Sequence, residues 1–154
     1  MVTIAVDDPR QPEIVALLER HLAFANEHSP PEDVHALDVD ALCAPAITFF
    51  SGRDESGVVL VVGAVKELDP THGELKSMHA LAESRGQGLG RAMAAHLLQV
   101  ARDRGYARVS LETGTPDAFI PARTMYASLG FVECPPFADY PDSPYSVCMT
   151  LVLG

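Results

Sequence analysis

Nowhere in this 154-residue chain do apolar residues run unbroken for the length of a membrane span, about 18 residues, so no membrane partner is expected. Its start, Met1-Val2-Thr3-Ile4-Ala5-Val6-Asp7-Asp8, lacks both the basic opening and the long apolar core of a secretory leader, which points to the cytoplasm. Cysteine is scarce. Cys43, Cys134 and Cys148 are odd in number, far apart and outside CxxC spacing, which reads as free thiols in a reducing compartment and implies no zinc site. The 6 histidines make no H-E-x-x-H spacing, so no metal is expected. Positive charge is short as well. With 11 Lys and Arg against 21 Asp and Glu the net charge is −10, the wrong sign for a nucleic-acid partner. It suits a cationic or amine ligand drawn in by the field, or simply a well-solvated surface. With 47% hydrophobic and 21% charged residues, the chain has the composition and length of one globular domain, residues 1–154.

Residues 2–6 read as a strand, and Pro12 opens a helix carrying Ile14, Val15, Leu17, Leu18, Leu22 and Phe24. Proline is tolerated there because its missing N–H costs nothing at an early helical position. The stretch His28-Ser29-Pro30-Pro31-Glu32-Asp33 ends that helix, and residues 39–42 add a helical turn. β-Branched and aromatic runs at 46–50 and 58–65 flank a loose hairpin loop, 51–57. A second turn, 69–73, leads into a strand over 74–81. The helix that follows places Leu89, Met93, Leu97, Leu98 and Val100 on one face and ends at Gly105. Residues 107–113 form a strand, and Thr115-Pro116-Asp117 starts a helix through Leu129, capped by Gly130. A strand begins at Phe131-Val132, a proline-rich loop covers 135–144 and a last strand covers 145–153. The order βαβββαβαβ, without repeats or linkers, suits an α/β domain with a mixed sheet.

The most telling stretch is Arg85-Gly86-Gln87-Gly88-Leu89-Gly90-Arg91, between the fourth strand and its helix. A glycine-rich turn that opens a helix aims several backbone N–H groups at one point, and the missing side chains let a phosphate come close. A P-loop needs Gly-Lys-Ser/Thr, but Arg91-Ala92 follow Gly90. A dinucleotide fingerprint needs G-x-G-x-x-G after the first strand of a βαβ unit, whereas these glycines recur every second residue and lie past the middle of the chain. The R/Q-x-x-G-x-G/A turn that grips the pyrophosphate of coenzyme A is matched at every defined position. From about Gly57 to the C-terminus the chain resembles the GNAT superfamily of N-acetyltransferases.

The resemblance implies an α/β fold with a mixed, mostly antiparallel central sheet flanked by helices and splayed between its two central parallel strands. It implies acetyl transfer from acetyl-CoA to a primary amine of a small molecule or peptide, by direct attack and without a metal. Backbone groups of Met78, His79 and Ala80 are expected against the pantetheine arm. Gly86, Gln87, Gly88, Leu89, Gly90 and Arg91 are expected around the pyrophosphate, with Arg85 and Arg91 as charge partners. Tyr126 lies in Ala122-Arg123-Thr124-Met125-Tyr126-Ala127-Ser128-Leu129-Gly130-Phe131, which is similar to the family's A-x-x-x-Y-x-x-x-G-F segment, whose tyrosine protonates the departing thiolate. On pattern alone it also fits a core aromatic sharing a helix face with Ala122 and Leu129.

Glu74 stands where some family members carry a catalytic glutamate, and strand alternation puts it on one face with Lys76 and Met78. It is either a general base, with its pKa raised in a dry cleft, or a structural ion pair with Lys76. Glu112, His79 and ordered water are the other candidate bases. Phe119 occupies a position where many relatives have an asparagine against the cofactor. The acceptor is expected between residues 24–37 and the 135–144 loop. That loop and the following Ser146-Val147-Cys148-Met149 resemble the tail of a subset of small bacterial GNAT proteins. The alternative is a non-catalytic acyl-CoA-binding or regulatory module on the same fold. An exposed last strand leaves room for a homodimer.

Overall fold

Residues 1–34, 38–84 and 86–154 are described by a computed structural model. Its centre is strand β3 (Val59–Asp69), a Val-rich run covered on both faces. Val61 and Val65 join the cluster on one face, while Val62 and Ala64 join the other. Strands β2 (Ile47–Arg53) and β4 (His72–Ala80) flank it antiparallel, and β1 (Thr3–Val6) pairs outside β2. On the far side β5 (Arg108–Gly114) pairs parallel with β4. Next come β7 (Ser146–Val152), antiparallel to β5, and the edge strand β6 (Val132–Cys134). The sheet order is therefore β1-β2-β3-β4-β5-β7-β6, mixed and mostly antiparallel.

Helix α1 (Pro12–His28) lays Ile14, Leu17 and Leu18 on one face of the sheet, joined by Leu42 of the short α2 (Val39–Leu42). Helix α3 (Leu89–Asp103) packs Met93, Leu97 and Ala101 against the other face beside α4 (Ile120–Ser128). Each large apolar side chain buried this way contributes about 1.5–3 kcal/mol, so the two clusters hold the sheet between its helices.

The elements follow the pattern expected from the sequence, with three differences of more than one residue at their ends. The turn before β4 is tighter, because β3 runs to Asp69 and β4 starts at His72. β2 likewise continues to Arg53, which shortens the first hairpin loop. The segment after β5 is not one helix from 115. A 3-10 turn, Asp117–Phe119, comes first and α4 starts at Ile120. Pro121 is the reason: deep in a helix its ring would meet a carbonyl of the preceding turn, but in a first turn it fits.

Candidate functional site

β4 and β5 stay together for only three residue pairs, His72 with Arg108, Gly73 with Val109 and Glu74 with Ser110. β4 remains bonded to β3 as far as Ala80, and β5 to β7 as far as Gly114. From Leu75 and Leu111 onward the two strands therefore turn their inner edges toward a gap. The gap is a cleft of about 580 Å³ that reaches from α1 to α4. Its size is that of an ordinary small-ligand site. Backbone N–H and C=O groups on those edges suit an extended, amide-bearing arm, which can bond there as a strand would.

Midway along the cleft β4 carries a bulge. Two residues, Ser77 and Met78, stand opposite Gly63 of β3, and Ser77 has φ 56, in the left-handed region. The bulge corrects the expectation that Glu74, Lys76 and Met78 share a face. Met78 turns instead toward α3, where its Sδ would lie 2.7 Å from a Cβ at Gly63. One inserted residue shifts the alternation of every residue after it.

The glycine turn closes the other end. Gly86 and Gly88 have φ 86 and φ 75, and Gly88 is the residue that caps α3. No atom lies within 4 Å of a Cβ built at either one, and a Cβ at Gly90 would meet only Met125 Cε at 3.8 Å. Packing within the protein thus leaves the space in front of the turn free, which fits a bound phosphate group. Leu89 plugs the turn into the α3 core, and Arg91 bonds Ser128 on α4 through Nη1. Gly86, Gly88, Leu89, Gly90 and Arg91 line the cleft with Met78, His79 and Ala80, whereas Gln87 does not. Arg85 lies outside the described residues, as does the 35–37 part of the expected acceptor segment.

Tyr126 lies in the cleft wall on α4, its ring edge-on to Phe131 at 5.7 Å. Burial raises its pKa well above the ordinary phenol value, so it carries a proton throughout the working pH range. Glu74 stands elsewhere. It is 2% exposed, lies behind the cleft wall, pairs with Lys76 Nζ at 3.2 Å and accepts the Tyr140 hydroxyl proton in a hydrogen bond. Glu112 does line the cleft and accepts from Ser146 Oγ at 2.6 Å. His79 faces His21 of α1, with Nδ1 atoms 3.3 Å apart, and burial lowers the His21 pKa to about 4.

Phe24 of α1 and Phe119 meet edge-on at 5.3 Å, making an apolar bridge from α1 to the turn after β5. A side chain at Gly114 would overlap the Phe119 ring. Two further cleft residues are not singled out by sequence reasoning, which for the first reaches only as far as the 135–144 loop that carries it. Tyr140 comes from an aperiodic proline-rich loop, and Ser77 is marked only by its backbone, with its Oγ buried and unpartnered. Among the described residues no group of three or more His, Cys, Asp or Glu side chains is placed to hold a metal, and no helix is long and apolar enough to cross a membrane.

A mixed sheet parted at its parallel junction, with a glycine-led helix at the open end, is an acyltransferase architecture. A solved structure from Klebsiella pneumoniae, described as a "putative acyl-CoA N-acyltransferase", superposes with a TM-score of 0.85 at 28% identity over 100% of this chain and 99% of that one. The chain belongs to the GNAT family of N-acetyltransferases, whose model, described as "Acetyltransferase (GNAT) family", matches residues 13–131. It is 44% identical over 147 residues to the uncharacterized N-acetyltransferase YsnE of Bacillus subtilis, covering 96% of this chain and 97% of that protein. It is also 42% identical over 156 residues to the uncharacterized N-acetyltransferase YedL of Escherichia coli, covering 99% and 96%. A further relative is the IAA acetyltransferase of Azospirillum brasilense, 34% identical over 149 residues, covering 96% and 95%.

Proposed function

We propose that residues 1–154 act as one N-acetyltransferase domain that moves an acetyl group from acetyl-CoA to a primary amine by direct attack. The observation that carries this is the cleft itself. One end is a turn whose glycines leave room for a phosphate, its sides are strand edges that part beyond Glu74 and Ser110, and a protonated tyrosine stands in its wall. In this reading Gly86 to Arg91 hold the pyrophosphate, with Arg85 as a further charge partner, and the backbone of Met78, His79 and Ala80 holds the pantetheine arm.

The amine nitrogen bonds to the acyl carbon, the carbon–sulfur bond breaks toward sulfur, and Tyr126 protonates the thiolate. Glu74, acting through an intervening group because it lies behind the cleft wall, or water takes the amine proton. No side-chain nucleophile is needed. The acceptor enters between α1 and the 135–144 loop, past the Phe24–Phe119 bridge. The test is thiol release from acetyl-CoA with a panel of aliphatic and aromatic primary amines, amino acids and a peptide N-terminus, alongside a coenzyme A titration. Turnover with one of these amines supports the assignment. Tight coenzyme A binding without turnover would favour a non-catalytic acyl-CoA-binding module, and no binding at millimolar coenzyme A would end the case.

A further inference from the structure

The loop between β6 and β7 folds back over β4. The Phe137 ring lies 5.8 Å from the His72 ring and 5.1 Å from that of Tyr140, which seats Tyr140 above the strand. Lys76 Nζ lies 5.2 Å from the centre of the Tyr140 ring and donates to its hydroxyl oxygen at 2.6 Å. The Tyr140 hydroxyl donates in turn to Glu74 Oε2, which also accepts from Lys76 Nζ at 3.2 Å. Two cavities meet at this cluster. Lys76 and Tyr140 line the large cleft, and they also line a second cavity of about 200 Å³ with Lys66, Glu74 and Asp139. Glu74 lines the second cavity and not the cleft, so it reaches a bound acceptor only through another group.

We propose that Tyr140 is a catalytic residue that passes a proton from the acceptor's ammonium group in the cleft to Glu74, which releases it to solvent through the second cavity. The proposal rests on the reading of the cleft as the place of acetyl transfer to an amine. The ammonium gives a proton to the Tyr140 oxygen as the hydroxyl's own proton moves to the Glu74 carboxylate. The nitrogen is left with the lone pair it needs. That pair forms the bond to the acyl carbon, the carbon–sulfur pair goes to sulfur, and Tyr126 supplies the thiol proton. A second nitrogen proton leaves to solvent and balances the one that Tyr126 regains.

Burial and the adjacent Glu74 charge raise the Tyr140 pKa far above the phenol range, which disfavours tyrosinate and favours passing one proton while accepting another. Lys66, Lys76, His72, Asp139, Glu112 and Cys148 are the titratable groups around the pair, drawn from β3, β4, the loop, β5 and β7. Lys76 fixes both oxygens, and Glu112 on the cleft side offsets its charge near an incoming cation.

Tyr140→Phe keeps the ring against Lys76 and Phe137 and removes the hydroxyl that joins Lys76 to Glu74. Thiol release is followed with acetyl-CoA and the most reactive amine of the panel. The variant should lose about 100-fold in kcat with an unchanged KM for acetyl-CoA, while its melting temperature falls by only a few degrees for the lost hydrogen bonds. Below the amine's own pKa its kcat/KM should fall about tenfold per pH unit, because only amine already neutral in solution reacts, while the unaltered protein holds its rate further down. Glu74→Gln should lose as much, and the double variant no more than either single one, as members of one relay do not add. An unchanged kcat, parallel pH profiles or losses that multiply would overturn the relay while leaving acetyl transfer in place. If the unaltered protein releases no thiol with any amine, acetyl transfer fails and the relay falls with it.

Discussion

Tyr126 and His21 show how burial on this scaffold sets the charge state of single residues. The Tyr126 phenol is a weaker acid than in water, so it is protonated at working pH, as the proposed role of proton donor to the thiolate requires. Tyr126→Phe should lower kcat by about 100-fold and leave coenzyme A affinity within about twofold, read by steady-state kinetics and a binding titration. A rate within about threefold of the unaltered protein would instead make Tyr126 a packing residue, the other role its pattern allows. His21 is held neutral, with its pKa lowered from 6.5 to about 4 by burial. The unfolded chain takes up that proton as pH falls below 6.5 and the folded chain does not, so stability declines between pH 6.5 and about 4. The full effect is at most about 3 kcal/mol. His21→Gln, which keeps a polar partner for His79, should flatten the fall in melting temperature across that window.

At the scale of elements, what the sequence reveals depends on periodicity. Helix α3 and the glycine turn are legible because a 3.6-residue apolar repeat behind closely spaced glycines seldom arises outside a turn that opens a helix. The Tyr126 segment is legible because its spacing resembles a known pattern. The bulge at Ser77 is not, since serine carries no mark of a left-handed backbone and Gly63 across the strand reads as one more gap in a Val-rich run. Tyr140 is hidden for a related reason. Its partners Glu74 and Lys76 are distant in sequence and are reached only because a loop without regular structure folds onto them. Gly88 tests the turn as an element. Gly88→Ala forces a Cβ onto a residue with φ 75 and should cost about 1–2 kcal/mol of stability. That methyl meets no protein atom but occupies the space proposed for phosphate, so on that proposal coenzyme A affinity should fall at least about tenfold by calorimetry, more than the stability change accounts for.

For the whole molecule, the two halves of the sheet meet along a seam only three residue pairs long. A strand-like guest laid between residues 75–80 and residues 111–114 would supply the rungs that this seam lacks and splice two ribbons into one. Occupancy should then register as rigidity at the heart of the molecule. Amide hydrogen exchange along both inner edges should slow markedly when saturating acetyl-CoA is added, while exchange at the β1 margin stays as it is.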